Sequence, residues 1–159
     1  MRIKKITRKN LAEALAIAEE IFPYEMRNGH LSFEGAYIES IELQQRDFVY
    51  YLVLEDDNVV GITGHYPPED GKKQIWLGWF GVRPQYRGAG WGEKILKATA
   101  QVVALQGVTE MFIYSGDRAE ERNAHRLYEK NGFKMTGKGK VAGEASIFFR
   151  GPVPVKEIK

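Results

Sequence analysis

The chain contains no cysteine, which excludes disulfides, thiolate metal sites and cysteine nucleophiles. No apolar run approaches the roughly 20 residues needed to span a bilayer. The opening Met1-Arg2-Ile3-Lys4-Lys5 is not followed by the apolar stretch of a signal peptide. A cytoplasmic, membrane-free protein is therefore expected. Charge of one sign is also scarce: the net value is +2, and no Lys/Arg cluster is interleaved with aromatics as a nucleic-acid groove would require. The three histidines, His30, His65 and His125, have no metal-ligand spacing between them, so no metal is expected. What remains is ordinary for a globular chain: 159 residues, 43% hydrophobic and 28% charged. One domain over 1–159 is expected, with the tail 151–159 weakly anchored.

The order of elements follows from periodicity. A short strand over 1–7 precedes Asn10, which stands three residues before Glu13 as in a capping box. Leu11, Ala14, Leu15, Ala18 and Ile21 then recur at helical spacing, and Phe22-Pro23 ends that helix. A second helix is expected over 33–45. Strands over 48–54 and 59–66 flank the turn residues Asp56-Asp57-Asn58. A strand over 74–82 is nearly all apolar or glycine, as expected when both faces are covered. In regular alternation Trp76 would share a face with Gly78 and Phe80, and Trp79 would take the other. Gly78 and Gly81 suggest a bulge or a close approach to the backbone by something else, and for Gly78 room for a bulky tryptophan neighbour is the alternative. A helix over 91–105, a strand over 111–115, a helix over 119–131 and a hairpin of strands 133–140 and 145–150 complete the chain. The expected fold class is α/β (α+β): a mixed central sheet of six to seven strands flanked by about four helices.

Chemistry concentrates in Arg87-Gly88-Ala89-Gly90-Trp91-Gly92, after a strand and at the start of a helix. Glycines permit a tight turn and a close approach of backbone to ligand. The first amides of a helix lack internal partners, and the macrodipole makes that end positive. A pyrophosphate suits such a place, and Arg87 could add a charge-assisted donor. A ligand-free glycine turn is the alternative, but glycine inside a helix costs about 0.5–1 kcal/mol relative to alanine. The P-loop pattern is absent, and the third glycine comes one residue too early for a dinucleotide fingerprint.

With its lead-in Val82-Arg83-Pro84-Gln85-Tyr86, this segment resembles the coenzyme motif of the GNAT superfamily of N-acetyltransferases. Ala124-His125-Arg126-Leu127-Tyr128-Glu129-Lys130-Asn131-Gly132-Phe133 is similar to that family's second motif, in the same order and separation. The resemblance reaches to about residue 150. It implies acetyl-CoA as co-substrate, with the pyrophosphate held by the backbone of Gly88, Ala89, Gly90, Trp91 and Gly92. It also implies that the pantetheine arm lies along Phe80, Gly81 and Val82, in a wedge between the end of strand 74–82 and strand 111–115. A backbone amide there would polarise the thioester carbonyl. Tyr128 would protonate the departing sulfur. By spacing alone Tyr128 groups with Ala124 and Leu127 as core.

Two departures from the pattern stand out. The asparagine common seven residues before the tyrosine is Glu121 here, with Asn123 as a nearby candidate coenzyme contact. Strand 74–82 carries no carboxylate to serve as general base. His65 could act as a base, against the reading of a solvated or hydrogen-bonded loop histidine, and His125 reads as helix surface. Glu25, Glu34, Trp79 and Ser115 are candidates for the acceptor side; for the two carboxylates a solvated surface is the alternative, and for Trp79 the core. The overall reading is direct acetyl transfer from acetyl-CoA to a primary amine in a ternary complex. The rival is a catalytically silent acyl-CoA-binding or sensor domain. The resemblance is compatible with a homodimer and leaves the acceptor, small molecule or peptide, open.

Overall fold

The computed structural model describes residues 1–23, 49–67, 74–141 and 143–153. They form eight strands and three α-helices, grouped in two compact units: Met1–Tyr66 with Gly78–Trp91, and Pro67–Leu77 with Gly92–Lys159. The expected helix over 33–45 lies outside the described residues, as do Phe48, Ala142 and the tail from 154.

In the first unit, β1 (Arg2–Lys5), β2 (Val49–Glu55) and β3 (Asn58–Tyr66) form an antiparallel meander, and β5 (Gly81–Val82) pairs antiparallel with β3. Helix α1 (Leu11–Ile21) buries Ala14, Ile17, Ala18 and Ile21 against Tyr50, Leu52, Leu54 and Ile62. The i, i+3, i+4, i+7 spacing of those helical residues makes one apolar stripe. Asn10 does not cap this helix. Its Oδ1 accepts from the Thr7 amide at 2.6 Å and its Nδ2 donates to the Lys5 carbonyl at 3.1 Å, so the side chain fastens the turn after β1 instead.

The expected strand 74–82 is broken. β4 (Ile75–Leu77) belongs to the second unit, and the chain leaves the strand at Gly78 before β5 begins. At the break two glycines come close together. Gly78 N donates to Gly64 O at 2.7 Å, and a Cβ on Gly78 would lie 2.9 Å from Cε1 of the Tyr50 ring. The bulky neighbour is thus a tyrosine. This break raises the strand count from seven to eight.

In the second unit the strand order is β4-β6-β8-β7, with β6 (Glu110–Gly116), β7 (Lys134–Val141) and β8 (Glu144–Pro152). β4 runs parallel to β6 and the other pairs are antiparallel, so the sheet is mixed. Pairing of β4 with β6 covers only Ile75↔Met111 and Trp76↔Phe112, whereas β8 accompanies β6 along its whole length. One face, carrying Met111, Ile113, Ile147 and Phe149, is fully buried. The other carries the half-buried rings of Trp76, Phe112, Tyr114 and Phe148. Helix α2 (Trp91–Ala104) buries Ile95, Leu96, Thr99, Ala100 and Val103, and Gly107 closes it at φ +78°. The expected helix 119–131 is a 3-10 turn, Ala119–Glu121, followed by α3 (Arg122–Lys130). The start of the tail is anchored, contrary to expectation: Gly151 and Pro152 belong to β8, and buried Val153 donates its amide to Thr109 O at 2.8 Å. Among the described residues no helix is long and apolar enough to cross a membrane.

Candidate functional site

The glycine segment has the backbone its composition demands. Pro84–Tyr86 make one 3-10 turn, closed by Arg87 N donating to Pro84 O at 3.3 Å. Gly88 then takes φ +83° and Gly90 φ +82°, while Ala89 between them does not cross to positive φ. A residue with a Cβ disfavours that region by about 1–2 kcal/mol. A Cβ at either glycine would meet nothing within 4 Å, so the glycines serve conformation, and the space beside them is open. Alternation of φ sign is the backbone pattern of a nest, in which successive amides turn toward one concavity and favour an anion. Among the described residues, the backbone hydrogen bonds include none donated by the amides of Gly88, Ala89 or Gly90. α2 begins at once with Trp91 and Gly92, adding the positive end of its dipole. The acidic residue of its first turn, Glu93, is held by Lys97 at 3.2 Å and Lys130 at 3.1 Å. Hydrogen bonds from those two lysines keep its carboxyl below the usual range.

Arg87 folds back: its Nε donates to the Val82 carbonyl of β5 at 3.0 Å. It therefore braces the glycine loop against that strand. β5 itself has a ladder partner on one side only among the described residues, through Gly61↔Val82 and Ile62↔Gly81. Gly81 packs closely under α1: a Cβ there would collide with Ile21 and lie 3.1 Å from the Phe22 ring unless those side chains shifted. Beside it, Arg83 grips Glu20 of α1 with Nε and Nη2 at 2.7 and 3.2 Å, and donates Nη1 to Val59 O at 3.0 Å. The guanidinium lowers the Glu20 pKa, chiefly through the hydrogen bond, and that bond raises Arg83 in turn. Sequence reasoning missed this clamp, since the partners are 63 positions apart. Phe80 is half-buried, and Trp79 meets Phe22 edge-on at 5.5 Å.

The second unit holds the other candidates. Tyr128 lies on the buried face of α3, its ring 5.4 Å from Phe149 and 6.3 Å from Phe133. Burial, with a smaller contribution from the negative charge of Glu121, pushes its phenol well above the ordinary value. Ser115, near the end of β6, is buried with its Oγ 3.0 Å from His125 Nε2. His125 is thus a buried residue, where a surface position was expected. Its place three residues before Tyr128, on the same helical face, was the signal available. Burial, then Arg122, lower its pKa; Asp117, a backbone hydrogen bond with Gly116 and Glu129 pull the other way. Glu121 pairs with Arg118 at 3.4 Å and its carboxylate lies over Gly116. Asn123 Oδ1 accepts from Arg126 Nη1 at 2.8 Å on the surface of α3. His65 is fully buried, with Nε2 3.1 Å from the Tyr51 hydroxyl, so it is a hydrogen-bonded strand residue rather than a loop residue. Glu25 and Glu34 lie outside the described residues. Among the described residues no cluster of three or more His, Cys, Asp or Glu could hold a metal ion.

Two positive-φ glycines thus lead directly into a helix start, next to a strand that has a ladder partner on one side only among the described residues. The acetyltransferase (GNAT) family model matches residues 12–133, and the chain belongs to that family. It is similar to the uncharacterized N-acetyltransferase YycN of Bacillus subtilis, 24% identical over 78% of this chain and 71% of that protein. It is also similar to spermine/spermidine N(1)-acetyltransferase of Bacillus subtilis, 30% identical over 69% of this chain and 78% of that protein. In fold it matches the PaiA N-acetyltransferase of Thermoplasma acidophilum, solved in complex with coenzyme A. The TM-score is 0.67 at 16% identity, over 92% of this chain and 96% of that one.

Proposed function

We propose that the chain transfers an acetyl group from acetyl-CoA to a primary amine, directly, within a ternary complex. The carrying observation is the glycine turn itself: among the described residues, glycines at positive φ with open space beside them and amides that donate to no backbone carbonyl, at the mouth of α2. These features fit a diphosphate, and Gly88, Ala89, Gly90, Trp91 and Gly92 would hold it by backbone N–H groups. β5, which has a ladder partner on one side only among the described residues, would with Phe80 before it receive an extended arm in the manner of an added strand. An amide at this edge would polarise the reacting carbonyl. Acetyl-CoA supplies the activated acetyl group. Tyr128, kept protonated by burial, is the proton donor to the departing sulfur. No carboxylate stands on the stretch 74–82, so the amine is taken up in its neutral form and loses its proton to solvent or to a group outside this stretch.

The acceptor class includes the cationic amines, since one relative is by name a polyamine acetyltransferase. Two measurements test the function. Calorimetry with acetyl-CoA should show binding, and thiol release should occur with at least one amine from a panel of polyamines, lysine peptides, peptide N-termini and amino sugars. Absence of binding overturns the whole reading. Binding without thiol release for any amine assigns the chain instead to the silent acyl-CoA-binding class, a reading favoured by the packing of Tyr128 among core rings.

A further inference from the structure

We propose that His125 is a positioning residue: its buried hydrogen bond to Ser115 sets where α3 lies on β6, and thereby where the Tyr128 hydroxyl is presented. The inference rests on the acid role proposed for Tyr128. α3 has nine residues, about 13 Å of helix, too short to hold its own shape in water. Its placement must come from what its buried face touches.

That face carries His125 and Tyr128, three residues apart, and both rings sit 5.4 Å from the same Phe149 of β8. Ring-on-ring packing is broad in its geometry and tolerates sliding. A hydrogen bond is directional and does not. The 3.0 Å contact from His125 Nε2 to Ser115 Oγ, with both residues under a tenth exposed, therefore sets the register of α3 against the sheet. Two further links hold the same end. The Glu121 carboxylate lies over Gly116, and Arg122 Nη2 donates to Asp117 Oδ1 at 2.8 Å, on the exposed side. Beyond Tyr128, Phe133 N donates to Tyr128 O at 3.0 Å, and the Phe133 ring covers Gly151. Tyr128 thus lies between a surface-and-core clamp at the start of α3 and a packed turn at its end. The buried member of that clamp is His125. A misplacement of about 1 Å in a catalytic group can cost up to about 100-fold in rate.

Four variants test this: Ser115→Ala, His125→Leu, His125→Gln and Tyr128→Phe. In the thiol-release assay, with the amine turned over fastest in the panel, Ser115→Ala and His125→Leu should lower kcat roughly tenfold or more. KM for acetyl-CoA should stay within about twofold, since the nest is untouched. His125→Gln, which keeps a polar group at that distance, should recover part of the loss. Adding His125→Leu to Tyr128→Phe should cause no further slowing. A second readout needs no acceptor. In protein labelled with 13Cζ-tyrosine, the Tyr128 resonance, identified by its loss in Tyr128→Phe, should be single and sharp. It should shift or broaden in Ser115→Ala and His125→Leu, and return toward its position in His125→Gln. If His125→Leu fails to fold, Ser115→Ala and His125→Gln carry the test. An unmoved resonance in Ser115→Ala overturns the proposal, as does further slowing of Tyr128→Phe by His125→Leu. If Tyr128→Phe alone leaves kcat unchanged while the resonance responds as described, the acid role fails and the positioning of the ring stands.

Discussion

The glycine nest and the β6–α3 face work by opposite means. At Gly88–Gly90 the groups proposed to meet the ligand are backbone amides, the residues are exposed, and a Cβ on either glycine would meet nothing within 4 Å among the described residues. At Ser115, His125 and Tyr128 the groups are side chains, the residues are buried, and each is held by a neighbour from another element. Backbone presented in solvent tolerates neighbours poorly but needs none. A buried hydroxyl or imidazole has an orientation only because its surroundings impose one. Damage to the first region should therefore appear as lost affinity with little lost stability. Damage to the second should appear as lost rate, lost stability or both.

The largest effect expected is on rate in the buried region. Tyr128→Phe should lower kcat by about 100-fold or more, within the range for removal of a general acid. Coenzyme affinity by calorimetry should stay within about twofold. Equal kcat values would place Tyr128 with the core and remove the contrast. Next comes affinity in the exposed region. Gly90→Val forces a β-branched residue to φ +82°, a conformation costing upwards of about 1–2 kcal/mol. The nest relaxes out of shape, and acetyl-CoA affinity should fall roughly tenfold or more. Because a Cβ there meets no neighbour, the loss of stability should not exceed that backbone strain, about 1–2 kcal/mol. A large loss of stability with intact affinity would mean that the glycine serves packing.

A smaller effect concerns pH. His125 is buried and its pKa is lowered, first by burial, so the unfolded chain binds its proton more readily than the folded one. The stability from neutral His125 is present above the ordinary histidine value of about 6.5. It is lost as pH falls below that value toward the lowered one. The melting temperature of the wild type should therefore drop more steeply between neutral pH and pH of about 5.5 than that of His125→Gln. Parallel curves would show that His125 gains its proton in the folded state as easily as in the unfolded one. The smallest effect belongs to the clamp beside β5. Glu20→Gln leaves Arg83 without its carboxylate, but the pair is partly exposed, so about 0.2–1 kcal/mol is expected from chemical denaturation. The sign follows from the lowered Glu20 pKa. This contribution is present above the unfolded carboxylate value and fades as pH falls through the folded one, so the variant and wild type should converge in acid.

Much of this was legible residue by residue. The periodicity of Leu11–Ile21 and of Trp91–Ala104 gave both helices, because a 3.6-residue apolar stripe has few other uses. The nest was legible because glycine is the residue that takes positive φ freely, so its placement betrays the backbone. The broken strand was legible only in part. Gly78 and Gly81 announced an irregularity, but their neighbours, Tyr50 with Gly64 and Ile21 with Phe22, come from distant positions. The misreadings share that origin. Asn10 sits where a cap would, yet bonds backward to Thr7 and Lys5. His125 has a surface histidine's sequence context and a core histidine's surroundings.

The amino-acid sequence by itself determined the helical stripes, the turn chemistry and the open cradle of glycines, because each depends on conformational preferences of residues adjacent in the chain. Only the tertiary structure decided that Arg83 would grip Glu20, that β5 would lie under the end of α1, and that His125 would meet Ser115. Those outcomes depend on which burials and pairings win once distant segments compete for the same space, and no local preference encodes that competition.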